Sequence, residues 1–296
     1  MFANKRAGFT LTELLVASAI IALLAAMLFP VLLSARSSAN QSVCLSHFHQ
    51  VELAQLLYTD DYDSRFTPVD YTPGVPSTSR TDRTWVQLLL PYSPSFSTFL
   101  CPADQDGFHP EVTFDQDLVP GDLFSRYYQA SQRVDEGFNY MALSPIVRTG
   151  RIWTADPRSS DQVQDPSGTM MYVDSTWSVD RNGNPLGGGN WLVEPPCRYL
   201  STSAGLIDEF SADGRSFGNI YTVGNGWTGF GTGTRPYGGA WPRHFERMNI
   251  VRVDGSATSI SAGSLATGCT VLRDWAGSLD PSENNIWTIT NDSGSR

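Results

Sequence analysis

Lysine is almost absent from this 296-residue chain: Lys5 is the only one, so 19 of the 20 basic residues are arginines, against 30 Asp and Glu and a formal net charge of -10. That scarcity excludes Walker-type phosphate binding, Schiff-base chemistry and Ser-Lys nucleophiles from everything beyond the first few residues. It also argues against a phosphate-neutralising surface, so nucleic acid is not expected as a partner. Cysteine is sparse as well. Cys44, Cys101, Cys197 and Cys269 stand far apart with no C-x-x-C, which indicates neither a zinc ribbon nor a redox pair. No G-x-S-x-G, H-E-x-x-H or paired Cys/His arrangement occurs, so the body carries no signal for catalysis, cofactor or metal centre. Gly224-Asn225-Gly226-Trp227-Thr228-Gly229 matches G-x-G-x-x-G, but without an apolar strand before it or a helix after it dinucleotide binding is not expected.

What is present begins at the N-terminus. Residues 14–33 form a 20-residue run without a charge, and at about 1.5 Å per residue this helix reaches about 30 Å, the thickness of a bilayer core. Lys5 and Arg6 precede it and are expected to stay cytoplasmic, leaving the rest of the chain outside. A plain single-pass anchor fits this length, whereas a secretory signal cut near Ser37-Ser38-Ala39 would have a shorter apolar region of about 7–15 residues. Neither accounts for Glu13, a carboxylate at the very start of the apolar segment.

The string Gly8-Phe9-Thr10-Leu11-Thr12-Glu13-Leu14-Leu15-Val16 resembles the prepilin processing site of type IV pilins and type II secretion pseudopilins. The resemblance implies that a prepilin peptidase cuts after Gly8, that the new Phe9 amine is methylated, and that Glu13 stays in the membrane as the fifth residue of the mature chain. Pro30 falls where many pilins place the proline that bends or locally melts this helix, for want of an N–H. In a bundle of such helices Glu13 needs a counter-charge, and a neighbouring copy's Phe9 ammonium would set the axial register.

Past Pro30, residues 34–59 still read as helix. Val43, Cys44, Phe48, Val51, Ala54 and Tyr58 fall on one arc, with Ser46, His49 and Glu52 away from it. His47 and His49 are expected to be solvated. Further along, Cys44-Leu45, Tyr58-Thr59-Asp60-Asp61-Tyr62-Asp63, Leu100-Cys101-Pro102, Gly137-Phe138-Asn139-Tyr140 and Asp165-Pro166-Ser167-Gly168-Thr169 with Asp174 follow in order. With His244, nine residues and then Asp254-Gly255, they look like a large prepilin-like group with an H-x9-D-G signature. Asp254-Gly255 reads as a two-residue hairpin turn, which sets Val251 opposite Thr258 and Val253 opposite Ser256, with Ile260 on that face. His244 is expected to tie the preceding loop to the sheet by a hydrogen bond.

Two groups of carboxylates, Asp60/Asp61/Asp63 and the turn Asp180-Arg181-Asn182-Gly183-Asn184, are candidate calcium ligands by type but lack the alternating spacing of an EF-hand. Trp191, Trp227, Phe230, Tyr237 and Trp241 either cover a sheet face or form an exposed aromatic loop. For the cysteines the favoured pairing is Cys44–Cys101 with Cys197–Cys269, because Cys101 follows a segment expected to pack near the helix, with free buried thiols as the rival. The expected architecture is α+β and pilin-like: a long membrane-spanning helix continuing as a spine on an antiparallel β-sheet head with long loops. Its expected divisions are a leader 1–8, an assembly helix 9–33, a spine 34–59, an extracytoplasmic head 60–265 and a tail 266–296. Partners would be the prepilin peptidase, other pilin or pseudopilin subunits and the inner membrane. The competing reading is a membrane-tethered module that binds glycan or an envelope protein and never polymerises.

Overall fold

The computed structural model describes residues 10–71, 83–104, 130–149, 152–179, 185–186, 188–195, 199–202, 205–208, 239–270, 278–279 and 285–289. Gly8, Phe9, Cys197, the 180–184 turn and the 224–229 stretch lie outside these, as do Trp227, Phe230 and Tyr237.

One helix, α1 (Leu11–Asp61), dominates the molecule; its 51 residues make it about 77 Å long. Thr10 caps it. The Thr10 Oγ1 accepts from the Glu13 N–H at 3.3 Å while the Glu13 carboxylate accepts from the Thr10 N–H at 2.9 Å, a reciprocal capping box that satisfies two end groups. The helix runs through Pro30 without a break, so the local melting expected there is not seen in the single chain. A proline removes one N–H from the ladder, and the bonds on either side suffice to carry the helix past it.

The head is built on a four-stranded antiparallel sheet of β1 (Glu136–Phe138), β2 (Met170–Asp174), β3 (Arg247–Arg252) and β4 (Ala257–Ser261), in the order β4-β3-β2-β1. A second sheet joins Gly205–Asp208, Tyr199–Thr202, Ser278–Leu279 and Cys269–Thr270, in that order. A long apolar helix followed by an antiparallel sheet is the α+β, pilin-like architecture expected from the sequence.

Both faces of the first sheet are covered. Val251 pairs with Tyr172 and Tyr172 with Phe138, and their common face meets Phe48, Val51, Ala54 and Tyr58 of α1 together with Trp85 and Phe99. Ile250 pairs with Val173 on the reverse face, where Met170, Met248, Leu265, Leu279 and Trp287 form a second apolar cluster. Trp85, at the start of α2 (Trp85–Leu89), centres the first cluster, its Nε1–H donating to the Trp191 carbonyl at 2.8 Å. Trp191 is buried, and so serves the core.

The hairpin forms where Asp254-Gly255 stands, but its loop is one residue longer than expected. Arg252 N–H donates to Ser256 C=O and Gly255 N–H to Arg252 C=O, each at 3.0 Å, which closes a three-residue loop of Val253, Asp254 and Gly255. Gly255 has φ +83°, the left-handed residue that follows a type I turn and makes a bulge. The pairing is therefore Val251 with Ala257 and Ile250 with Thr258. A one-residue shift exchanges faces. Val251 looks at the spine helix, and Ile260 belongs with Met248 and Ile250 on the reverse side.

Candidate functional site

Two features of α1 bear on function: a stretch that nothing covers, and a seat in which the rest is clamped. Every large apolar side chain from Leu11 to Leu33 is between 53% and 78% exposed. This part of the helix is long and apolar enough to cross a membrane, and none of its most apolar window is buried. Glu13 sits at its first turn, engaged with Thr10. Glu13 therefore has a local use as a cap that the sequence reading did not assign, and a simple tether would gain from it too.

Burial begins at Cys44. Cys44 is disulfide-bonded to Cys101, with Cα atoms 5.2 Å apart. The bond joins the helix to the segment after Phe99, and hydrogen bonds line the same joint. His47 Nδ1 lies 2.8 Å from the Leu100 carbonyl, and Asn40 Nδ2 donates to the Pro102 carbonyl at 3.4 Å. His47 is thus half-buried and tied to the head, not freely solvated, because the loop carrying Cys101 must run alongside the helix to reach Cys44. Cys269 is also disulfide-bonded; Cys197, its expected partner, lies outside the described residues.

Beneath the disulfide is a layer of buried charge. Arg243 bridges Asp104 and Asp135, each at 2.9 Å, and its Nη2 also donates to the Ser175 carbonyl. Asp135 accepts from the Cys101 N–H at 2.6 Å, so the guanidinium links the Cys101 loop to the sheet. Burial works against the Arg243 cation, yet the Asp135, Asp104 and Asp174 carboxylates outweigh it and hold the guanidinium firmly charged. Burial lifts Asp135 well above the carboxylate range, Arg243 opposing it. Glu136 is raised by burial and by the neighbouring Asp135 and Asp174 charges.

His244 is wholly buried. Its main chain exchanges two hydrogen bonds with Arg247, at 3.0 and 2.9 Å, and these tie the loop to the sheet. The ring instead points at the disulfide, with Nε2 3.5 Å from Cys101 Sγ and 3.7 Å from Asp174 Oδ2. Burial, then the Arg243 charge, pushes His244 down to about 4, so it is neutral at pH 7. Burial raises Asp174 to about 7 against the pull of the Asn249 N–H, which donates to it at 2.6 Å, and of Arg243.

The two ends of the H-x9-D-G pattern thus lie apart. The nine intervening residues contain β3, which holds His244 at one end of the strand and Asp254-Gly255 at the other, about 20 Å away at about 3.4 Å per residue. At the far end Asp254 accepts from Ser256 N–H at 2.9 Å, and its own N–H donates to the Pro166 carbonyl at 3.2 Å. Glu52 reaches the same turn: a Cβ on Gly255 would lie 3.0 Å from its Oε1. Expected to point away from the core, Glu52 is buried because the hairpin end closes over it. Burial raises its pKa, His49 opposing and Asp254 adding to the rise. Sequence reasoning missed Glu52, Asp104, Asp135, Glu136, Asn249 and Arg243. Arg243 stands beside His244 in the signature, and that adjacency was the available signal. Asp60, Asp61 and Asp63 form no metal-ligating cluster among the described residues.

The prokaryotic N-terminal methylation motif matches residues 3–29, a range that includes the capped, uncovered end of α1. The chain is type IV pilin-like. It is 47% identical over 57 residues to the type IV wide pilus major component PilA4 of Thermus thermophilus, a match covering 19% of this chain and 44% of that protein. The likeness thus spans under half of the relative's length. No solved structure matches the chain. What these comparisons describe is a pilin-like subunit with a membrane-compatible N-terminal helix; the head of this pilin-like protein is known from its own geometry.

Proposed function

We propose that the chain is the precursor of a filament subunit. A prepilin peptidase cuts after Gly8 on the cytoplasmic side of the inner membrane, Phe9 is N-methylated, and the head stays periplasmic or on the cell surface. The apolar half of α1 then leaves the bilayer for a filament core. One observation carries this reading: an apolar helix with no residue buried from Leu11 to Arg36, which requires lipid or other helices around it. A relative that is a wide pilus component favours a pilus-like filament over a secretion pseudopilus.

Mass spectrometry of the mature N-terminus should find N-methylated Phe9; a start at Asn40 would overturn the reading. Assembly is tested by microscopy of sheared surface fractions with two variants. Glu13→Gln keeps a residue that serves the capping box and removes the charge, so it should insert, be processed and fail to assemble. Thr10→Ala loses the cap, worth about 1 kcal/mol, and should still form filaments. Wild-type filament from Glu13→Gln would refute pairing with a neighbour's Phe9 amine, and a protein that never sediments with filaments would be a monomeric tether.

A further inference from the structure

Three side chains of metal-ligating type converge under α1, and a carboxylate stands beside one of them. The ligand atoms of Cys44, Cys101 and His244 lie within 4.8 Å of one another, all three residues buried, and no other such group occurs among the described residues. Asp174 Oδ2 stands 3.7 Å from His244 Nε2, both side chains fully buried. The four come from the spine helix, the loop after Phe99, the end of β2 and the loop before β3, and only the tertiary fold collects them.

With the disulfide closed, this arrangement leaves buried polar atoms poorly served. Among the described residues, His244 Nδ1 and Asp174 Oδ1 have no hydrogen-bond partner, nor do the side-chain Oδ1 and Nδ2 of Asn249 beside them. His244 Nε2 has only a long sulfur contact and a carboxylate beyond hydrogen-bond range. Buried imidazoles and carboxylates are normally satisfied, and a purely structural histidine would make a proper bond here. The ring is instead aimed at two sulfurs and a carboxylate, the company of a metal ligand.

We propose that when Cys44–Cys101 is reduced, Cys44, Cys101, His244 and Asp174 bind one zinc ion at the joint between spine and head. The disulfide takes two electrons from a thiol or a phosphine and yields two thiols; a thiol also supplies the two protons and is oxidised to its disulfide, whereas with a phosphine water supplies them and its oxygen ends on the phosphine oxide. Zinc displaces the two thiol protons to solvent and is held by two thiolates, the neutral imidazole and the carboxylate, a four-coordinate S2NO set. Two thiolates and one carboxylate against Zn²⁺ leave one negative charge, facing the buried Arg243 cation. The joint then has two closed forms, one covalent and oxidised, the other coordinate and reduced.

The test uses the full-length chain in detergent micelles, reduced anaerobically with a phosphine, desalted and exposed to zinc or to cobalt as a spectroscopic probe. The reduced wild type should retain one zinc more than the Cys44→Ser/Cys101→Ser variant treated identically. Its cobalt form should show tetrahedral d–d bands with thiolate charge transfer that the double variant lacks. Asp174→Asn, which can still accept from the Asn249 N–H, and His244→Asn should each weaken zinc at least about 10-fold. Equal zinc in wild type and double variant would overturn the site. So would unchanged affinity in Asp174→Asn, which decides the matter if His244→Asn fails to fold. Filament assembly plays no part in this readout, so its failure and that of the assembly reading are separate.

Discussion

The two halves of α1 share one backbone and obey different solvents. Residues 11–36 present apolar side chains in every direction, and none of them is buried. From Cys44 to Thr59, one face is buried against the sheet while Leu53, Leu56 and Leu57 remain about half exposed on the other. The first half is all-round apolar, as a helix is when lipid or identical helices surround it. The second is amphipathic, and its stability is tied to the head through apolar packing, one disulfide, and bonds such as the Tyr172 hydroxyl donating to Gln55 Oε1 at 3.0 Å. A continuous helix thus hands over from an uncovered apolar segment to a structural spine without any break in secondary structure.

Substitutions in the two halves should therefore diverge. Phe48, fully buried, should cost the head about 3–5 kcal/mol when changed to Ala, whereas Phe29→Ala, at a position 64% exposed, should stay within about 0.5 kcal/mol. Denaturant unfolding of the detergent-solubilised chain measures both, and equal losses would mean that the halves are not independent. Cys44→Ser comes next. The disulfide spans 57 residues of separation, and its loss should remove up to about 4 kcal/mol while leaving membrane insertion intact.

Gly255→Ala tests the far end of the spine's seat. At φ +83° and with Glu52 against the added methyl, it should cost about 1–2 kcal/mol, read as a lowered Tm. Smallest, and opposite in sign, is Glu52→Gln. Because the folded pKa of Glu52 is raised, its ionisation weighs against the folded state. Wild-type stability should fall as pH rises from the ordinary carboxylate range through that raised value. The groups facing Glu52 are His49, 3.5 Å away, and Asp254 of the turn. The Gln variant should lose that fall and melt higher at neutral pH, as a Tm series on both proteins would show; parallel curves would exclude the effect.

The hairpin shows where local reading stops. Asp-Gly marks a turn whichever loop follows, because glycine supplies a positive φ to a two-residue turn and to a three-residue loop with a bulge alike. Loop length is decided by the contacts around it, here Val253 N–H donating to the Thr169 carbonyl and Asp254 N–H to the Pro166 carbonyl. That one residue decided whether Ile260 shares a face with Val251 or with Met248 and Ile250. Glu52 was misplaced for a similar reason: periodicity locates a helix face, but not a turn that arrives from two hundred residues away and covers the next stripe.

The amino-acid order alone determined the long helix, its uncovered apolar first half, the processing string, the turn at Asp254-Gly255 and the α+β division into spine and sheet. These follow from hydrophobic spacing, capping residues and glycine conformation, all local properties of the chain. Tertiary structure alone decided that both faces of the sheet are buried, that Arg243 lies between two aspartates, and that His244 turns its ring toward a disulfide instead of its own loop. Buried charge and ligand clusters draw their members from distant segments, and only the packing of those segments sets which groups lose water together and which find a partner.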